Sequence, residues 1–379
     1  MVNRATYQAA KLVAPRIEVH FAKHLAEANA KGELDLAPQP PARVIEAILD
    51  SAFWASLRKE EGHSPKISIA FLPPEQAGKP LIFTHTLPLN PNVLTKMAPG
   101  VERGGIHIGV WHDGYNLHIW GTTLNIPNYC FVVDVSEPGL LVIKHRRIYG
   151  FGKYTNVAVL KGDQIKIVEE KSASNADCPS MLLSLLDLTA HSYWNDSANI
   201  LIQLAVSMRA HGRGGAVLVV PHGTEDWKQS IIHPISYALE PSFRGLADLV
   251  KKDTNSSEIF WQSALKREVD HLAGLTAIDG ATLITDEYEL LAFGAKTGRA
   301  NSSGHIQELS YSEPISGGDA IVVHPAKIGG TRHLSAAQFI FDQRNAQALV
   351  ASQDGHFTIF SWSPALNMVQ AHRIDTLLL

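Results

Sequence analysis

The sequence predicts a two-domain α/β (α+β) protein, with a β-rich N-terminal domain flanked by helices and a C-terminal mixed sheet surrounded by helices. Three observations carry this. At 379 residues the chain exceeds the roughly 100–200 residues of an ordinary domain. Between Lys66 and Glu170, short β-branched runs follow one another at the spacing of a mostly antiparallel sheet. Beyond Pro179, strands alternate with longer helical stretches, the pattern of a layered α/β domain.

Residues 4–31 are Ala-rich, with Leu12, Val13, Ile17, Val19, Phe21 and Leu25 at mixed helical spacing. The Pro-rich run from Asp35 to Arg43 breaks this helix, and a second follows from Ile45 to Leu57 with Ile45, Ile48, Leu49, Ala52 and Phe53 on one face. Eight strand candidates come next: ISIAFL, PLIFTHTL, GIHIGVW, LHIWGTT, YCFVVDV, GLLVIKH, NVAVLKG and QIKIVEE. Asp113-Gly114 marks a hairpin between the third and fourth. The small polar run Lys171 to Pro179 sets the boundary between domains 1–178 and 179–379, with a helical start over 1–57 and the β-rich part over 66–170. In the second domain, helices are expected over Met181–Met208 (broken near Asn195), Phe243–Leu249, Glu258–Leu275 and Leu334–Arg344. Strands are expected at Gly215–Pro221, Ala281–Thr285, Leu290–Phe293, Ala320–Val323, Gln347–Ser352 and Phe357–Ser361.

Composition narrows the function. Hydrophobic residues at 45% furnish two cores, and 33 Lys plus Arg against 37 Asp plus Glu give a net charge of −4. This balance gives no electrostatic footprint for a general nucleic-acid or anionic-membrane binder, but leaves room for a small basic pocket. Two cysteines, Cys130 and Cys178, argue against a disulfide framework or a thiolate zinc site. No apolar stretch approaches the ~18 residues of a membrane span, and the N-terminus lacks the pattern of a secretory signal. A reducing cytoplasm is the expected compartment.

Three clusters in the second half have the residue types of phosphate chemistry. Gly329-Gly330-Thr331-Arg332-His333 stands directly before a helix. Glycines admit close backbone approach, and a hydroxyl, a guanidinium and an imidazole at a helix N-terminus favour an anion. The same residues also suit an ordinary loop-to-helix entry with a solvated Arg-His. Asp279-Gly280-Ala281 opens a strand; its carboxylate could hold a divalent metal or orient a sugar hydroxyl, or the pair could be a plain turn. Ser352-Gln353-Asp354-Gly355 is either a hairpin turn or a hydroxyl and carboxylate beside phosphates. In the first half, His107, His112 and His118 flank one hairpin but lack an acid or thiol partner, and Trp111 and Trp120 suit cross-strand core packing.

The order and spacing of the three clusters together resemble the diadenylate cyclase (DAC) domain. The segment Leu201 to Pro221 is similar to that family's opening helix and first strand, and Gly330 to Trp362 to its closing helix and hairpin. The resemblance covers roughly residues 190–365. More weakly, Gly109-Val110-Trp111 and Leu117-His118-Ile119-Trp120-Gly121 resemble the presumed sensor domains, called DACNV, fused N-terminal to some bacterial DAC domains. The resemblance implies condensation of two ATP into cyclic di-AMP and two pyrophosphates, with Mg²⁺ or Mn²⁺, in a homo-oligomer whose active sites face each other. It implies that Asp279 and His333 are catalytic and that Asp279, His333 and Asp354 hold the metal. Gly280, Ala281, Gly330, Thr331, Arg332 and Ser352 would then contact the nucleotide. Two positions depart from the family: Leu334 stands where an Arg or Thr usually follows Arg-His, and Gln353 replaces the first acid of a pair. Besides a cyclase, these departures leave open a degenerate nucleotide-binding sensor, or a related cyclase using another nucleotide.

Overall fold

The computed structural model describes residues 6–114, 116–148, 154–170, 177–186, 188, 196–251, 258–300 and 303–379. The chain divides into two compact units, Met1–Val168 with Leu379, and Glu169–Leu378. Residues 171–176 of the polar run, and Asn195, where a helix break is expected, lie outside the described residues.

The first unit contains α1 (Gln8–Ala30), α2 (Ala42–Ser56), β1 (Ile67–Phe71), β2 (Leu81–Pro88), α3 (Pro91–Val101), β3 (His107–His112), β4 (Leu117–Thr123), β5 (Phe131–Glu137), β6 (Leu140–Arg146), β7 (Tyr154–Lys161) and β8 (Gln164–Ile167). The strands form one sheet in the order β2-β4-β3-β1-β5-β6-β7-β8. Only β1 and β3 pair in parallel; every other neighbouring pair is antiparallel. The helices pack on one sheet face, where Val13, Ile17 and Phe21 of α1 and Ile45, Ile48 and Leu49 of α2 meet Ile69, Phe71, Val110, Phe131 and Ile143. Leu12 and Val19, counted with the periodic apolar residues above, are exposed, so the buried stripe of α1 is narrower than the sequence suggests. The α3 helix was not foreseen. Asn90 caps it by accepting from the Val93 N–H at 2.9 Å, and Pro91 follows at the first helical position.

The second unit contains α4 (Ser180–Leu185), α5 (Asp196–Ala210), β9 (Gly215–Val220), β10 (Tyr237–Phe243), α6 (Gly245–Lys251), α7 (Glu258–Leu275), β11 (Ala281–Thr285), β12 (Leu290–Ala295), β13 (Leu309–Ser312), β14 (Ile321–Val323), α8 (Thr331–Asp342), β15 (Gln347–Ala351), β16 (Phe357–Ser363) and β17 (Met368–Arg373). Its nine strands run β10-β12-β11-β9-β15-β16-β17-β13-β14, with β9–β11 and β13–β17 parallel and the other neighbours antiparallel. The α8 helix buries Ala336, Ala337, Phe339 and Ile340 against Ala216, Leu218, Leu283, Val350 and Phe360. The intervening Val217, Val219 and Leu349 are also buried, as expected for a sheet covered on both faces. Phe243, assigned above to a helix, instead ends β10, and α6 begins at Gly245.

Register decides where the chemistry-bearing residues fall. Ala281 lies beside Ala216, and Gly215 beside Ala351. Ala351 pairs with Phe357, Thr358 with Arg373, and Ala281 with Ala295. The starts of β9, β11 and β16 and the ends of β12, β15 and β17 therefore share one edge of the sheet.

Candidate functional site

A cleft of about 740 Å³ opens at that edge of the second unit, over the N-terminus of α8. Asp279, Gly280, Ala281, Gly330, Thr331, Arg332, His333, Ser352 and Asp354 all line it, so the three sequence clusters meet in one cavity. Its other walls include apolar Leu218, Ile232 and Ile328, so the lining is mixed.

Asp279 precedes β11, and its side chain is 89% exposed. Its carboxylate accepts from the Lys296 ammonium at 2.5 Å. That hydrogen bond, the lysine's charge and, less strongly, Arg332 hold its pKa below the ordinary carboxylate range. The lysine thus favours the charged form of this carboxylate. Gly280, at φ +121°, is required by packing: a Cβ there would lie 2.4 Å from the Gly294 carbonyl carbon on β12. The glycine thereby lets the β11–β12 hairpin close and fixes where Asp279 emerges.

The first turn of α8 supplies Thr331, Arg332 and His333. Gly330, its N-cap, offers no side-chain cap and has open space where a Cβ would be, so the helix end faces the cleft bare. Arg332 reaches past Gly214, where a Cβ would stand 3.2 Å from its Nη1. His333 is buried, with Nε2 3.4 Å from Thr358 Oγ1 and its ring against Gly329, where a Cβ would come within 2.4 Å of Nδ1. Burial above all, then the charges of His356, Arg373 and Arg332, bring its pKa down to about 4. The imidazole is therefore neutral near pH 7, the form that can ligate a metal.

The β15–β16 turn carries Ser352, Gln353 and Asp354. Ser352 Oγ accepts from the His356 N–H at 3.1 Å, and its N–H donates to the His356 carbonyl at 2.9 Å, so this hydroxyl pins the turn. Gln353 and Asp354 are exposed, and both line the cleft. Arg209 of α5 donates from Nε to the Gly355 carbonyl at 3.2 Å, bracing the turn from behind.

The residues implied for a metal do not form a preassembled protein cage. Among the described residues, Asp279, His333 and Asp354 do not all three bring ligand atoms within 4.8 Å of one another. The donors suit Mg²⁺ or Mn²⁺ only as such ions usually bind beside phosphates, through one carboxylate such as Asp279 together with substrate oxygens. Leu334 is 40% exposed and does not line the cleft, so it leaves no hole in the cradle. Sequence reasoning missed Lys296, Ser335, His356, Thr358 and Arg373, all of which line the cavity. Lys296 had one available clue, since pairing the strand LLAFGA with ATLIT as a hairpin sets the residue after the former beside Asp279.

Two of the three hairpin histidines have structural partners, and His112 Nδ1 accepts from the Gly114 N–H at 3.2 Å. His107 is buried, with Nδ1 2.7 Å from Ser68 Oγ and Nε2 2.8 Å from Tyr154 Oη. Trp120 is buried and donates to the Leu72 carbonyl at 2.9 Å, while Trp111 stacks on Phe71 with centroids 4.7 Å apart.

Residues 34–124, within the first unit, match the family model described as "Probable sensor domain DACNV". This supports a sensor domain in the N-terminal part of the chain. No curated protein matches the chain. No helix among the described residues is long and apolar enough to cross a membrane.

Proposed function

We propose that the second unit is a diadenylate cyclase, condensing two ATP into cyclic di-AMP and two pyrophosphates under the control of a sensor in the first. The observation that carries this reading is the convergence of Asp279, the bare end of α8 with Thr331 and Arg332, and the Ser352–Asp354 turn on one cleft that apolar side chains also line. The apolar side chains suit a base, and the helix end with its guanidinium suits a triphosphate. Each O3′ would bond to the α-phosphorus of the facing nucleotide as the bridge to the β-phosphorus breaks and pyrophosphate leaves. A Mg²⁺ or Mn²⁺ ion held by Asp279 and the phosphates would neutralise charge and acidify the attacking hydroxyl. Asp279 would orient the attacking hydroxyl, whose proton would pass to solvent as the O3′–phosphorus bond forms. One cleft takes one nucleotide, so two copies of the chain must face each other across a two-fold contact.

The test is to incubate the full chain with each nucleoside triphosphate and Mn²⁺ and to identify products by mass. Cyclic di-AMP from ATP is expected, and a cyclic product from another nucleotide would transfer the reading to that base. A second reading, nucleotide binding without turnover, is favoured by one observation: Lys296 engages Asp279 where a metal would bind. Tight ATP binding with no product would select it.

A further inference from the structure

Arg373 comes from the last strand, outside all three motif clusters, yet its side chain lines the same cleft. Register puts it there: at the end of β17 it pairs with Thr358, the residue facing His333. Its guanidinium is held from behind. Nε donates to Asp375 Oδ1 at 2.7 Å, and Nη2 lies 3.0 Å from His356 Nε2. The side chain is 24% exposed and Asp375 only 14%, so the group is largely desolvated and its rotamer is fixed. A guanidinium has five donors; Asp375 and His356 engage it through Nε and Nη2. Asp375 does not line the cleft, whereas Arg373 does, so the pair presents its cation to the cavity and keeps its anion behind.

We propose that Arg373 is a second guanidinium contact to the polyphosphate, held ready by Asp375 and His356. This rests on the nucleotide reading of the cleft and deepens it by adding a group to the anion site. The motif itself provides one fork, Arg332, and Leu334 provides no donor. A chain of three phosphates needs more charge than one side chain and a helix end supply, and a preorganised guanidinium gives it at little further entropic cost. The sheet thus delivers, from a distant strand, a cation that the helix sequence lacks.

The test uses the full chain and calorimetric titration with AMP, with α,β-methylene-ATP and with inorganic triphosphate. Arg373→Met should weaken the ATP analogue and triphosphate at least about 10-fold, as Arg332→Ala should, and AMP less, so the gain from AMP to the ATP analogue shrinks. A purely structural Arg373 would lower AMP and ATP analogue together. Should Arg373→Met fold poorly, Arg373→Lys decides: about threefold or greater loss for triphosphate with an unchanged melting temperature is expected, because an ammonium lacks the fork. Unchanged polyphosphate affinity in Arg373→Lys or Arg373→Met, with loss in Arg332→Ala, overturns the inference and leaves the nucleotide reading standing. A wild-type chain that binds triphosphate but no nucleotide overturns that reading, and the triphosphate comparison still judges Arg373. Binding of neither overturns both.

Discussion

At one end of β11, Asp279 meets Lys296; just past the other end, Glu289 meets Arg244 at the same 2.5 Å. The two pairs match in chemistry and differ in everything around them. Glu289 is 7% exposed, accepts also from Ser242 at 3.2 Å, and sends its own N–H to Thr285 Oγ1 at 3.1 Å. His222 and Glu287 stand beside it, close enough to suggest a metal site, but Arg244 and Lys251 already neutralise both carboxylates. Asp279 is almost wholly exposed and is held by a single flexible lysine. A carboxylate with several fixed donors is spent on structure, whereas one with a single movable partner can exchange it for a metal or a substrate hydroxyl at small cost.

The strongest way to break this contrast is Asp279→Asn. The amide keeps the shape and loses the charge, so product formation should fall at least about 100-fold while ATP binding and the melting temperature hold. Product formation is read by chromatography. Turnover near the wild-type rate would put Asp279 in the same structural class as Glu289.

At the other end, Glu289→Ala should cost about 1–2 kcal/mol of stability, less than the roughly 3–5 kcal/mol of a fully buried pair, because half-exposed Arg244 can turn to solvent. Thermal melting reads the loss. Nucleotide affinity should stay within about twofold, and a large change would mean that the two ends of β11 are not separable.

Much of this layout was legible in the sequence. The eight strands of the first unit announced themselves because β-branched runs alternate with Gly, Pro, Asn and Asp. The α3 helix hid because Asn90-Pro91 and Pro99-Gly100 look like loop, although the first pair is a cap and the second only its end. β13 and β17 hid because LSYS and MVQAHR are too polar to read as strands, yet both are paired inside the sheet. The motif residues were visible as turns and helix starts, which are local features. Lys296 and Arg373 were not, since only the pairing of distant strands brings them to the cleft. Leu334 misled for the reverse reason: adjacency to His333 in sequence puts it on the next face of α8, away from the cavity.

A gentler probe of the cleft end is pH. His333 is held neutral, with its pKa lowered to about 4 by burial first and by neighbouring cations second. An unfolded histidine takes its proton near 6.5. Between those values the unfolded chain binds a proton that the folded unit refuses. The stabilisation is complete above about pH 6.5 and falls as pH drops towards 4. His372, lowered to about 4 by burial, titrates in the same window. The melting temperature should decline from pH 7 to pH 5, and His333→Gln should flatten that slope. A slope that His333→Gln leaves unchanged would mean that other groups set it.

The smallest expected effect sharpens the comparison between motif and structure. Leu334 occupies the place where an arginine would complete the resemblance, so a sequence argument expects Leu334→Arg to improve phosphate binding. The geometry argues otherwise. The side chain is 40% exposed on the first turn of α8, outside the cleft lining, while Arg332 and His333 point into it. An arginine there meets solvent and needs no buried partner, so the fold should tolerate it with less than about 0.5 kcal/mol of change, as for other surface substitutions. ATP affinity should move by less than about twofold, because the added charge is screened by water rather than aimed at the phosphates. Calorimetric titration beside a melting curve measures both quantities. A tenfold gain in affinity would show that α8 can turn this position inward when the nucleotide binds, and would put Leu334 back among the cradle residues.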